Sequence, residues 1–175
     1  MVVYIVMGVS GCGKSTISKE LSMQLHCVYR DADEFHNENN KQKMSQGIAL
    51  TDEDRHPWLV AIHTYIESLL VAKTTGIVAC SALKQKHRDT LIYGDKTNQN
   101  LPNWCKDITF IYLKGTEETI RSRLIQRKGH FMPASLLQSQ LATLEEPTEA
   151  ENHITVSIDQ SVDGIVNDIL RYIHE

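Results

Sequence analysis

Gly8-Val9-Ser10-Gly11-Cys12-Gly13-Lys14-Ser15 fits the pattern G-x-x-x-x-G-K-[ST] at every fixed position. Its flanks fit it too. Before it, Val2 to Met7 is a continuous β-prone run, suited to a strand buried on both faces of a parallel sheet. After it, Ile17, Leu21 and Leu25 recur at helical spacing. Glycines let consecutive backbone N–H groups curl around an anion without a Cβ clash. A helix beginning near Lys14 aims its positive dipole end at the same point. Lys14 can then reach the β- and γ-phosphates of a nucleotide, and the Ser15 hydroxyl can ligate Mg²⁺. A plain turn between strand and helix would need neither side chain.

Strand and helix patterns alternate through the rest of the chain. Strands are expected at 27–30, 77–80, 108–113 and 154–158, and helices at 35–46, 84–93, 117–127, 136–144 and 165–173. Thr51, followed by three acids, reads as the N-cap of a further helix, with Pro57 as the alternative start. Trp58, Ile62, Tyr65, Ile66 and Leu69 form its apolar face. Residues 95–106 read as a polar surface loop. The alternation implies a parallel sheet of about five strands flanked by helices. With 175 residues and no linker or repeat, residues 1–175 make one domain with a sizeable core.

Composition narrows the partners. A net charge of −4 argues against a general nucleic-acid binder, so a basic site must be local. The Val2 to Met7 run is too short to span a membrane and has no basic segment before it, so no membrane or secretory role is expected. Cys12, Cys27, Cys80 and Cys105 are too widely spaced for a zinc pattern and read as reduced thiols of a cytoplasmic protein.

A phosphate loop alone does not separate kinases from switch GTPases. The guanine motif N-K-x-D fails at Lys43, and no Asp has a Gly three positions later. The strand at 77–81 ends without the acid of a Walker B magnesium site. Asp31 and Asp33 can fill that role, since i, i+2 spacing puts both on one side of an extended segment. One would hold Mg²⁺ and the other would accept a hydrogen bond from an attacking hydroxyl. The bland reading is that the pair caps the following helix. Arg123 and Arg127 share a helix face, which suits either a lid over a phosphoryl group or a solvated basic helix end. His36, Arg55, Lys84, Arg88 and His130 are scattered basic residues that together could receive an anionic substrate.

Beyond the loop, the chain carries Asp31-Ala32-Asp33 with His36, Lys43-Met44, Asp52-Glu53-Asp54-Arg55 with Pro57-Trp58-Leu59, and Cys80-Ser81-Ala82-Leu83-Lys84 with Arg88-Asp89. Further on come Ile111-Tyr112-Leu113, Arg123-Leu124, Lys128-Gly129-His130-Phe131-Met132, and Thr143-Leu144-Glu145 with Pro147. In this order and spacing they resemble the gluconate kinases of the shikimate-kinase-like group, over nearly the whole chain.

The resemblance implies a P-loop kinase fold with a short lid around 123–140. It implies ATP and Mg²⁺ as cofactors and D-gluconate as the small-molecule substrate, and it allows a homodimer. Gly8, Val9, Ser10, Gly11, Cys12, Gly13, Lys14, Ser15 and Thr16 would bind the nucleotide, with Arg123 beside adenine and Arg127 on the phosphates. Ser15 and Asp31 would hold the metal. Asp33 would orient the substrate hydroxyl, with Lys14 and Arg127 neutralising charge. Asp33, His36, Arg55, Lys84, Arg88 and His130 would recognise the substrate. The alternatives are a kinase for another small hydroxy acid, such as shikimate, and a catalytically silent nucleotide-binding module.

Overall fold

The computed structural model describes residues 1–96, 103–126 and 134–174. Five parallel strands run in the order β2-β3-β1-β4-β5. They are β1 (Val3–Met7), β2 (Val28–Asp31), β3 (Gly76–Ala79), β4 (Ile108–Lys114) and β5 (His153–Ser157). The helices are α1 (Lys14–Gln24), α2 (Glu38–Ser45), α3 (Asp52–Val71), α4 (Gln85–Tyr93), α5 (Glu117–Gln126), α6 (Ala134–Thr143) and α7 (Val162–His174). This is the doubly covered parallel sheet that the alternating pattern predicts. Among the described residues, no helix is long and apolar enough to cross a membrane.

All five residues of β1 are buried, and they divide between the two sheet faces by strict alternation. Val3, Ile5 and Met7 join Val78 and Phe110 under Leu59, Ile62 and Ile66 of α3 and Leu91 of α4. Tyr4 and Val6 join Ile77 and Ile111 under Ile17 and Leu21 of α1 and Ile165 and Ile169 of α7. Each fully buried aliphatic side chain contributes about 1.5–3 kcal/mol, so the central strand is the most strongly held element.

β1 lies between β3 and β4, with chain direction across the sheet reversing there. In open α/β sheets ligands bind at the carboxyl ends of strands at such a switch point. The loop at residues 8–13 leaves β1 there.

The expected boundaries shift in a few places. The 35–46 segment is two elements, a 3-10 turn at Ala32–Phe35 and α2, because the Asn37 side chain accepts the Asn40 N–H and restarts the helix. Thr51 and Asp54 form a reciprocal capping box at the start of α3, which leaves Pro57 inside the helix. A 3-10 turn at Asn103–Asp107 occupies part of the expected surface loop. None of the four cysteines is in a disulfide.

Candidate active site

The loop after β1 is shaped by its own lysine. Lys14 Nζ donates to the carbonyls of Gly8 at 3.0 Å and Val9 at 3.1 Å, folding the chain over the head of α1. Gly8 must lack a side chain, because a Cβ would come 2.8 Å from Cys12 Sγ and 3.0 Å from the Leu113 carbonyl. Gly13, at φ 102°, starts α1 without any side-chain cap. The first N–H groups of that helix are thus left for an anion. The Cys12 side chain is fully buried, and burial raises its thiol pKa. Thr16 is exposed.

Asp31 ends β2 and reaches the same place. Its Oδ2 accepts from Ser15 Oγ at 2.9 Å and from the Tyr29 hydroxyl at 3.2 Å. Its Oδ1 accepts the Asp33 N–H at 3.0 Å. Asp31 and Asp33 therefore do not lie side by side on an extended segment, as the spacing suggested. Asp31 caps the 3-10 turn with one oxygen and meets Ser15 with the other, so capping does not take up the whole carboxylate. Ser15, Asp31 and nucleotide phosphates would supply the hard oxygen ligands that Mg²⁺ takes. Among the described residues no group of three or more His, Cys, Asp or Glu forms a metal cage.

The turn presents Asp33 outward, with its side chain 87% exposed. Surrounding protein raises its pKa through partial desolvation, and the Asp31 charge adds to the rise. His36 lies beside it, with Nε2 4.0 Å from Asp33 Oδ1. His36 is buried and stacks on Trp58 at 4.4 Å, while Trp58 Nε1 donates to the Ala32 carbonyl at 2.7 Å. Asn40 Nδ2 donates to the Asp54 carbonyl at 2.8 Å and lies 3.4 Å from His36 Nδ1. The amide thus makes His36 Nδ1 the acceptor, and Nε2 carries the proton toward Asp33.

Arg55, on the first turns of α3, faces this histidine. Among the described residues its guanidinium has no hydrogen-bond or ion-pair partner. Burial lowers the pKa values of both His36 and His87, and the Arg55 charge pushes each the same way. Lys84 Nζ lies 3.3 Å from Asp52, which also meets Lys86 at 2.6 Å and His87 at 3.4 Å. These hydrogen bonds, Lys86 foremost, hold the Asp52 carboxyl far below its usual range.

The structure departs from expectation at Arg88. Its side chain is 1% exposed. Nε and Nη2 form a two-point pair with Glu151 at 2.5 and 3.1 Å, and Nη1 donates to the carbonyls of Ala82 at 3.1 Å and Glu145 at 2.9 Å. The Arg88 guanidinium is thus taken up by protein partners, which does not favour the substrate role expected of it. Arg123 is also engaged, with Nη1 donating to the Cys12 carbonyl at 3.5 Å and Nη2 to that of Ile158. It stays beside the loop. Arg127 and His130 lie outside the described residues.

Several contacts had no signal in residue spacing. Glu145 N–H donates to the Leu83 carbonyl at 2.8 Å, and the Glu145 carboxylate accepts the Gln85 N–H at 2.7 Å. The Ser81–Lys84 turn, with Ala82 at φ 45°, is thereby pinned from residue 145. Ser10 N–H donates to Gln140 Oε1 at 2.7 Å, across 130 positions. Tyr29 and Asn40 were likewise unremarkable in the sequence.

Comparison with known proteins gives the family. Residues 10–174 match the family described as shikimate kinase. A probable gluconokinase of Xenopus tropicalis is 41% identical, covering 95% of this chain and 90% of that protein. The thermoresistant gluconokinase of Escherichia coli K12 is 40% identical over 98% of this chain and 93% of its own length. The crystal structure of a gluconokinase from Sinorhizobium meliloti 1021 superposes with a TM-score of 0.84 at 36% identity, covering 99% of this chain and 91% of that one. A shikimate kinase from Aquifex aeolicus, 14% identical with a TM-score of 0.57, shares the fold. Full-length identity at this level, on a sheet whose switch point carries an intact phosphate loop, means that the chain belongs to the gluconokinase family of P-loop kinases.

Proposed function

We propose that this protein transfers the γ-phosphoryl group of ATP to the terminal primary hydroxyl of D-gluconate, giving 6-phospho-D-gluconate for the pentose phosphate route. The observation that carries this reading is the chain of contacts from Ser15 through Asp31 to Asp33. It links the phosphate loop to a carboxylate that is free to meet a second substrate.

Residues 8–16 receive the nucleotide, with Lys14 at the phosphates and Arg123 beside the base. Ser15 and Asp31 hold Mg²⁺, which when bound offsets charge on the phosphate oxygens. Asp33 accepts a hydrogen bond from the gluconate hydroxyl and takes its proton as transfer completes. Its raised pKa makes it a better acceptor than an ordinary aspartate. Neutral His36 donates from Nε2 to a substrate oxygen or to Asp33. Arg55, whose guanidinium has no partner among the described residues, receives the substrate carboxylate, and Lys84 adds positive charge. Arg127 and His130 complete the site on resemblance alone. Unpaired thiols, which persist in reducing compartments, favour the cytoplasm.

The test is an ADP-release assay of purified protein with Mg-ATP, offering gluconate and shikimate in parallel, with mass spectrometry of the product. Gluconate should be phosphorylated on its terminal carbon. Transfer to shikimate with none to gluconate would overturn the substrate assignment. Tight ATP binding with transfer to no sugar acid would favour the silent module.

A further inference from the structure

The phosphate loop is held from outside, most directly by a residue that the reaction scheme does not use. Ser10 N–H donates to Gln140 Oε1 at 2.7 Å, and Gln140 Nε2 reaches Ser10 Oγ at 3.4 Å. A backbone N–H can only donate, which fixes the orientation of the amide. Gln140 belongs to α6, anchored by buried Leu137 and half-buried Leu141 in the core beneath the loop. The next two loop residues are held in the same manner from α5. Gly11 lies under Leu124, where a Cβ would come 2.7 Å from Cγ, and the Cys12 carbonyl takes Arg123 Nη1.

We propose that Gln140 is a positioning residue for the nucleotide, presetting the Ser10 corner of the phosphate loop in its anion-binding shape. The reasoning is conformational. Cys12 N–H reaches the Val9 carbonyl at 3.3 Å and Gly8 N–H the Ser81 carbonyl at 3.3 Å, but a loop that turns its other N–H groups toward an anion site gains little from backbone pairing to hold that shape. Gln140 satisfies one of these groups and leaves those at the head of α1 open. A loop already ordered before binding spends less of its interaction energy on being ordered. The proposal rests on the phosphate-loop reading above and concerns affinity for the nucleotide, whichever acceptor is phosphorylated.

The experiment measures Mg-ADP and Mg-ATP binding by titration calorimetry, with steady-state KM and kcat, for Gln140→Met and Gln140→Glu. Methionine keeps the length and removes both hydrogen bonds. One such bond contributes about 0.5–1.5 kcal/mol, so nucleotide Kd and KM should rise about two- to tenfold. The kcat and the KM for gluconate should stay near the parent values, and the unfolding midpoint should move little. Glutamate keeps the acceptor for Ser10 N–H but brings a negative charge to the loop mouth. It should weaken binding further, with a penalty that shrinks as salt screens it.

Unchanged nucleotide affinity in Gln140→Met would overturn the proposal. Tighter binding would also overturn it, since Gln140 would then compete with phosphate for Ser10 N–H. Lys14→Ala separates the two levels. If it loses nucleotide while Gln140→Met does not, only the role of Gln140 fails. If Lys14→Ala binds normally, the phosphate-loop reading and the proposal built on it fail together.

Discussion

Replacing Glu151 by Gln isolates the part that Arg88 plays in the fold through its buried pairing. The change keeps the shape of the side chain and removes the negative charge that pairs with the guanidinium. Arg88 and Glu151 have side chains only 1% and 9% exposed, and water cannot compensate what is lost. Removing one member of a buried pair typically costs about 3–5 kcal/mol, because the other charge stays buried without its counterion. That is a large share of the roughly 5–15 kcal/mol by which a domain is stable. At about 2–4 °C per kcal/mol for a chain of this size, Tm should fall by roughly 6–20 °C.

The deficit should carry a pH signature. Burial pushes the Glu151 pKa up, but the Arg88 hydrogen bonds and the Thr148 N–H outweigh it, and the net shift is down. A lowered folded pKa gives stability that is present above the unfolded value, about 4.3, and lost as pH falls through the folded one. Glu151→Gln should therefore be most destabilised near neutral pH and converge on the parent in acid. Urea unfolding at several pH values measures this, and initial rates taken well below the variant's Tm give KM for gluconate, expected to be unchanged. Unaltered stability with a tenfold rise in that KM would refute the reasoning and return Arg88 to the substrate.

Three further outcomes follow from the site. Lys14→Ala should lower kcat/KM by at least about a hundredfold in a coupled ADP-release assay, since charge stabilisation of this kind is commonly that large. Asp33→Asn should cut kcat strongly while Mg-ATP binding, followed by calorimetry, persists. Because the folded-state pKa of Asp33 is raised, its ionised form opposes folding. Asp33→Asn should thus unfold at a higher temperature than the parent at neutral pH, with the gain vanishing below about pH 3.9. Asn40→Ala leaves the Asp54 carbonyl and His36 Nδ1 without their donor, so it should cost about 1–3 kcal/mol in urea unfolding. It should also raise KM for gluconate more than KM for ATP, through loss of the His36 tautomer.

The sheet was legible because its signals are local. β1, β3 and β4 are short apolar runs, and a strand buried on both faces has no polar alternation to obscure it. The phosphate loop was legible for the same reason, since its glycines, lysine and serine fall within eight positions. What sequence could not give is the partner of each charge. Arg88 and Arg55 read alike as basic residues near helix starts. One is tied to Glu151, 63 positions away, and the other has no partner among the described residues. Spacing also misjudged Asp31 and Asp33, because i, i+2 geometry assumes a strand, and the Asp31 cap turns the chain into a 3-10 helix before Asp33.

These long-range contacts explain why the site depends on the second half of the chain, although the residues proposed for chemistry come mostly from the first. The loop at 8–15 is braced by Arg123, Leu124 and Gln140. The Ser81–Lys84 turn, which carries Lys84 toward Asp52, is fastened by Glu145 and, through Arg88, by Glu151. Ala82 sits in the left-handed region, a conformation costing an alanine about 1–2 kcal/mol, so that turn needs outside support to persist. The support comes from the segment between α6 and β5. A lesion there would loosen the turn and misplace Lys84, and it would reach the phosphate loop through the bond from Gly8 N–H to the Ser81 carbonyl at 3.3 Å. Lesions at α5 or α6 would instead loosen the loop. The loop and the turn thus have different structural supports downstream, joined to each other only where Gly8 N–H meets the Ser81 carbonyl among the described residues, so lesions in the two supports should weigh unequally on nucleotide affinity.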